Sequence, residues 1–135
     1  MEMLSDYQSL IMAMLAMGVL MLVQLLVVDV LGILSKHKPG TPVEADHDLP
    51  LFRAVRALAN TNESIAIFLL FSVAGVLSQA EPGRLAGFAW TYLAGRLGHM
   101  VFYYANLQIA RSAAFALSVV GLAGLCVSAL LPWFS

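Results

Sequence analysis

The chain has 135 residues, 61% of them hydrophobic and 11% charged, with a formal net charge of −1 and a mean hydropathy of +0.86. A soluble domain carries roughly 25% charged residues, so too few charges are present here to solvate a surface. One integral membrane domain over residues 1–135 is expected, and nucleic acid is excluded as a partner because no basic stripe faces water.

The N-terminal MEMLSDYQSL lacks the basic region of a signal peptide, and the apolar run after it is too long for one. It is read as a retained span over about residues 7–35, broken only by Gln24 and Asp29. A bilayer core about 30 Å thick needs roughly 20 helical residues, which this run supplies. KHKPGTPVEADHDLP, Lys36–Pro50, combines three prolines, a glycine and mixed charges, the composition of an exposed irregular loop. Its His37, Asp46, His47 and Asp48 lack a rigid ligand spacing, so no metal site is expected. Pro50 pre-sets the first turn of a second span, about 51–80. AEPGR is a compact turn into a third span, about 84–104, and ANLQIA is a short connection to a fourth, about 110–131. The expected fold is therefore all-α, an up-down-up-down membrane bundle of four helices. Small residues in GRLAGFAWTYLAGRLG and GLAG allow close helix packing in lipid. Cys126 is alone in an apolar helix pattern and reads as a buried, inert thiol. Tyr7, Trp90, Tyr92 and Trp133 read as anchors or packing groups.

Six of the seven Lys and Arg residues gather at one end of this arrangement: Lys36, Lys38, Arg53, Arg56, Arg96 and Arg111. Arg84 lies at the other end, where Glu2 and Asp6 also fall. The positive-inside rule places the first and third loops in the cytoplasm and both termini outside.

Polar residues inside the spans follow helical spacing. Arg53, Arg56, Asn60 and Glu63 form one stripe on the second span; Arg96, His99 and Tyr103 form another on the third; Arg111 and Ser112 open the fourth. Charges within a span are costly and usually face the interior or a wet cavity. Converging at one depth, these groups would make a cationic pocket for a small anionic ligand with a separate positive group. Guanidinium forks bind carboxylates, Glu63 could take an ammonium, and Asn60 could bond an amide. A structural reading stands beside this one: Arg56 or Arg96 could pair with Glu63 across helices. Asp29 could pair with an Arg of a neighbouring helix or be kept protonated by lipid.

RAVRALANTNE, Arg53–Glu63, resembles the R-A-x-x-N-x-x-E signature of the membrane-associated proteins in eicosanoid and glutathione metabolism, the MAPEG family. GRLGHMVFY, Gly95–Tyr103, is similar to the family's third-helix pattern, and Arg111, Ser112 and Phe115 to its fourth-helix opening. The resemblance implies a homotrimer with glutathione as cosubstrate, held between subunits and open to the cytoplasm. It implies that Arg53, Arg56, Asn60, Glu63, Arg96, His99 and Tyr103 line the tripeptide site. It also implies that Arg111, with Ser112 beside it, lies near the sulfur and favours the thiolate.

The function this supports is a membrane-embedded glutathione-dependent transferase or peroxidase acting on lipophilic electrophiles or hydroperoxides, with membrane lipid around it. The alternative is a non-catalytic member of the same fold that binds a lipid or a protein. That alternative draws on Leu58 and Ala59, where animal members often carry His and Arg, and on the lack of a basic residue ending the first span. A small multidrug-type transporter would carry a Glu in its first helix and few arginines, and it ranks last.

Overall fold

The computed structural model describes residues 2–134. Met1 and Ser135, the two ends of the expected domain, lie outside the described residues, as does the side chain of Glu2. A short helix α1 (Glu2–Asp6) leads into four long ones: α2 (Gln8–Leu34), α3 (Pro50–Leu77), α4 (Pro82–Tyr104) and α5 (Gln108–Leu130). A single 3₁₀ turn, Leu131–Trp133, follows. No strand occurs among the described residues.

The helix starts are chemically readable. Pro50 and Pro82 sit in the first turns of α3 and α4, where a missing N–H is not needed. The Glu81 carboxylate caps α4, accepting from the Gly83 and Arg84 amides at 2.8 and 2.7 Å. The helix ends share one device. Lys36, Gln79 and Asn106, just past α2, α3 and α4, have φ of 55°, 56° and 59°. At each, two amides turn back onto the last turn, as in His37 N–H to Gly32 and Ala80 N–H to Gly75. This is the Schellman closure, here without glycine.

Contacts between helix ends make successive long helices antiparallel. The Tyr7 hydroxyl at the start of α2 donates to the Ala80 carbonyl past the end of α3, at 2.8 Å. Trp90 of α4 donates to Ser9 Oγ of α2 at 3.1 Å. Arg53 at the start of α3 donates to the Tyr104 carbonyl at the end of α4. The core of Leu10, Met17, Phe68, Leu85, Tyr92 and Leu125 is sealed from solvent. The outer surface is apolar as well: Leu15, Leu70 and Leu77 are 62%, 69% and 76% exposed. A helix that is apolar all round belongs in lipid or in a protein interior.

Three helices are long and apolar enough to cross a membrane: Gln8–Leu34, Pro50–Leu77 and Gln108–Trp133. The expected third span, α4, is 23 residues long but too polar to join them. The reason is its position. It packs against α2, α3 and α5 and buries Arg96 and His99, so its sequence answers to protein neighbours rather than to lipid.

α4 and α5 are the most closely packed pair, and glycine sets their distance. A Cβ on Gly95 would lie 2.5 Å from the Ser118 nitrogen, and one on Gly121 would lie 2.6 Å from the Tyr92 nitrogen. Backbone atoms cannot yield at that range, and overpacking of this kind costs about 1–3 kcal/mol. Gly121→Ala should therefore lower the thermal midpoint in detergent, whereas Gly18→Ala, with nothing within 4 Å, should leave it unchanged or slightly raised. Equal midpoints for the two variants, followed by far-ultraviolet circular dichroism, would contradict this account of the contact.

Candidate functional site

The polar stripe of α4 faces inward. Arg96 is 1% exposed and His99 3%. A guanidinium in such a place must have its donors satisfied. Arg96 Nη1 donates to Asn60 Oδ1 at 2.7 Å and to the Asn60 carbonyl at 3.3 Å. Its Nη2 donates to Ser118 Oγ at 2.5 Å, while that hydroxyl donates to the Phe115 carbonyl at 2.7 Å. The Tyr92 and Phe115 rings flank the guanidinium at 5.8 and 5.3 Å, within cation–π range. Tyr92 is held by Ser64 through a 2.8 Å hydroxyl contact and stacks on Phe68.

From Arg96 a line of rings leads to the end of the helices. His99 lies 6.3 Å from Phe115 and 5.4 Å, edge-on, from Tyr103. The Arg111 guanidinium sits over the Tyr103 ring at 4.3 Å. His47 from the loop stacks on the same ring at 6.1 Å, with its Nε2 3.3 Å from the Tyr103 hydroxyl. A cavity of about 320 Å³ opens here, lined by His47, Asn106, Gln108 and Arg111. That volume lies at the lower end of the roughly 300–1,000 Å³ common for small-molecule sites.

Three buried polar atoms along this line have no hydrogen-bond partner among the described residues: Arg96 Nε, His99 Nδ1 and Arg111 Nη1. An unmet buried donor costs about 1–3 kcal/mol, more when charged, so a cluster of them calls for an explanation. Most are donors or can act as donors, which suits an anionic or acceptor-rich guest.

The structure separates the sequence-predicted residues into groups. Asn60, Arg96, His99, Tyr103 and Arg111 form one connected set. Arg53 is already engaged: Nη1 donates to the His47 and Asp48 carbonyls at 2.7 and 3.1 Å, and Nε to the Tyr104 carbonyl at 3.2 Å. It fastens the loop to the end of α4. Ser112 is exposed and donates to the Gln108 carbonyl one turn back at 3.1 Å. Arg56 and Glu63 are exposed on α3. Neither is paired, because the only ion pair among the described residues is Arg84–Glu81, at 4.0 Å. The considered pairing of Arg56 or Arg96 with Glu63 is thus absent; Arg96 takes neutral oxygens instead. Asp29 is exposed on α2 and has no arginine partner among the described residues.

Two contributors escaped the sequence reading. Ser118 lies seven residues after Arg111, on the face that also carries Ala114 and Gly121, so helical periodicity held a signal for it. His47 had none, since only the folded loop brings it to Tyr103. The MAPEG family model matches residues 10–131. The chain belongs to the MAPEG family. The match covers nearly all of this MAPEG chain and takes in every residue of the connected set. Neither a curated protein nor a solved structure matches the chain.

The coordination of Arg96 is open to measurement. Ser118→Ala or Asn60→Ala would leave a buried charged donor unmet and should lower unfolding free energy by about 1.5–3 kcal/mol. Arg96→Met combined with Asn60→Leu should recover much of that loss, because no buried charge remains. Denaturation of the detergent-solubilised variants checks this; a double variant less stable than Asn60→Ala alone would refute it.

Proposed function

We propose that this membrane protein is a glutathione-dependent transferase or peroxidase acting on lipophilic electrophiles or hydroperoxides. The observation that carries the reading is Arg111. Its guanidinium is fixed over Tyr103 beside a polar cavity, while its buried Nη1 lacks a protein partner. A cation so placed lowers the pKa of a nearby thiol and raises the thiolate fraction at neutral pH. The thiolate would attack an electrophilic carbon, forming a C–S bond as the leaving group departs with its electron pair. With a hydroperoxide it would attack the terminal oxygen and release the alcohol, and a second glutathione would then form the disulfide and water.

Asn60, Arg96, His99 and Tyr103 would surround the tripeptide, and Glu63 would meet its ammonium. Ser112, turned toward Gln108, supports Arg111 as the principal catalytic group. The exposed Arg56 and Glu63 favour a homotrimer: charges on a membrane-length helix need cover, and a neighbouring subunit would supply it. With the Lys36–Pro50 loop in the cytoplasm, the site would open to cytosolic thiol.

The non-catalytic alternative has a specific observation in its favour. Arg53 spends its donors on backbone carbonyls and Ser112 on its own helix, so fewer groups remain to hold a tripeptide. Calorimetric titration with glutathione divides the two readings; no binding at millimolar concentration would leave the non-catalytic one.

If the active reading is right, Arg111→Ala should reduce conjugation of a generic aryl halide about ten- to a hundredfold, as expected for a charge-assisted contact of roughly 1.5–3 kcal/mol made in the transition state. Glutathione affinity should change much less, and Arg111→Lys should recover part of the rate. Unchanged turnover in an active background would remove Arg111 from the mechanism. For the assembly, native mass spectrometry in mild detergent should give three copies; a monomer or a dimer would contradict the trimer.

A further inference from the structure

Asp29 and Arg56 are opposite charges at one depth, and neither is spent. Asp29 is exposed on α2 and Arg56 on α3. Neither has an ion-pair or hydrogen-bond partner among the described residues. Both helices are long and apolar enough to cross a membrane, where a bare charge is costly. Asp29 lines a cavity of about 490 Å³ together with Leu51 and Val55 of α3. Arg56 follows Val55, so its backbone lies within about 1.5 Å of that depth. Its side chain is turned by about 100° from that of Val55, away from the Asp29 of its own chain.

The other cations of this end are engaged or lie at another depth. Arg53 holds the His47, Asp48 and Tyr104 carbonyls. Arg96 holds Asn60 and Ser118, and Arg111 lies over Tyr103. Lys36 is seven residues beyond Asp29, about 10 Å nearer the helix end. Glu63, the other exposed carboxylate on α3, is seven residues beyond Arg56, again about 10 Å away in depth.

Symmetry turns equal depth into a criterion. Three copies in a bilayer are related by rotation about the membrane normal, and that rotation leaves depth unchanged. Residues that meet across such an interface therefore come from one depth. The interface of a cyclic ring is also heterologous: a patch on one subunit meets a different patch on the next. Asp29 with Arg56 meets both conditions, whereas Arg56 with Glu63 and Lys36 with Asp29 fail the first.

We propose that Asp29 of each copy pairs with Arg56 of the neighbouring subunit, closing a ring of intersubunit ion pairs within the membrane. The planar guanidinium can meet the carboxylate with two parallel hydrogen bonds. The pairing rests on the homotrimer reading above and supplies the contact that sets its register.

The test is native mass spectrometry of the full chain in mild detergent. Asp29→Arg and Arg56→Asp should each lower the trimer-to-monomer ratio at least about tenfold, because like charges would then face each other. Both reversals in one chain should bring the ratio back near the wild-type value. Asp29→Asn should lower it as well, since the amide carries no charge. A second measurement does not depend on the reversed chains inserting. Chains with Asp29→Cys are co-expressed with chains with Arg56→Cys, all in a Cys126→Ser background. A short bis-maleimide, which spans an arginine's reach better than a disulfide does, should link the mixture into covalent dimers and leave either variant alone unlinked. A wild-type trimer that survives both single reversals, or a double reversal no better than the single ones, would overturn the pair and leave the trimer standing. So would an undiminished Asp29→Asn trimer, the sign of a carboxyl kept protonated, or a mixture that does not cross-link. A wild type that is monomeric or dimeric would remove the trimer reading and the pair with it.

Discussion

A guanidinium buried between helices can be tolerated only if the neighbouring backbones are placed to receive it. Arg96 meets that demand with Asn60 from α3 and Ser118 from α5, so one side chain fixes the register of three helices. Ser118 can reach it because Gly95, the residue before Arg96, has no side chain where the two backbones meet. The same logic repeats about one helical turn away, where Gly121 meets Tyr92, whose hydroxyl is tied to Ser64 of α3. Close approach and polar pairing are thus one feature seen from two sides.

The site grows out of that fixed point. His99 is one turn beyond Arg96 and Tyr103 about two, so a rigid α4 aims both at the end of the helices. Tyr103 is then covered on its faces by Arg111 and His47. Arg53 keeps the loop in place by joining its carbonyls to the end of α4. Groups drawn from α3, α4, α5 and the loop converge there because each is tied to α4.

Much of this was legible from residue spacing. Steps of three, four and seven placed Arg96, His99 and Tyr103 on one inward stripe, and short connections brought Arg111 to the same end. The same periodicity grouped Arg53, Arg56, Asn60 and Glu63, yet it could not say which would find partners. A stripe has width. Asn60 falls where α4 can reach it, Arg56 and Glu63 fall outside, and Arg53 meets carbonyls released at the end of α4. Ser118 is not told apart from a small packing residue by its type, because hydroxyls serve both purposes. His47 was invisible because loop composition indicates irregularity but not the path of the chain.

The polarity of α4 also has a bearing on biogenesis. Unlike its three long neighbours, this helix lacks the length-averaged apolarity that marks a membrane crossing, and its arginine is sheltered only when Asn60 and Ser118 are present. Lipid alone is therefore a poor solvent for it. The chain leaves α4 through a tight closure at Asn106 and begins α5 at Gln108, with glycine contacts ready to seat the pair. An insertion route in which α4 enters together with α5, beside an α3 already in place, spares the guanidinium a period unaccompanied in hydrocarbon. A route that releases each helix in turn would expose it.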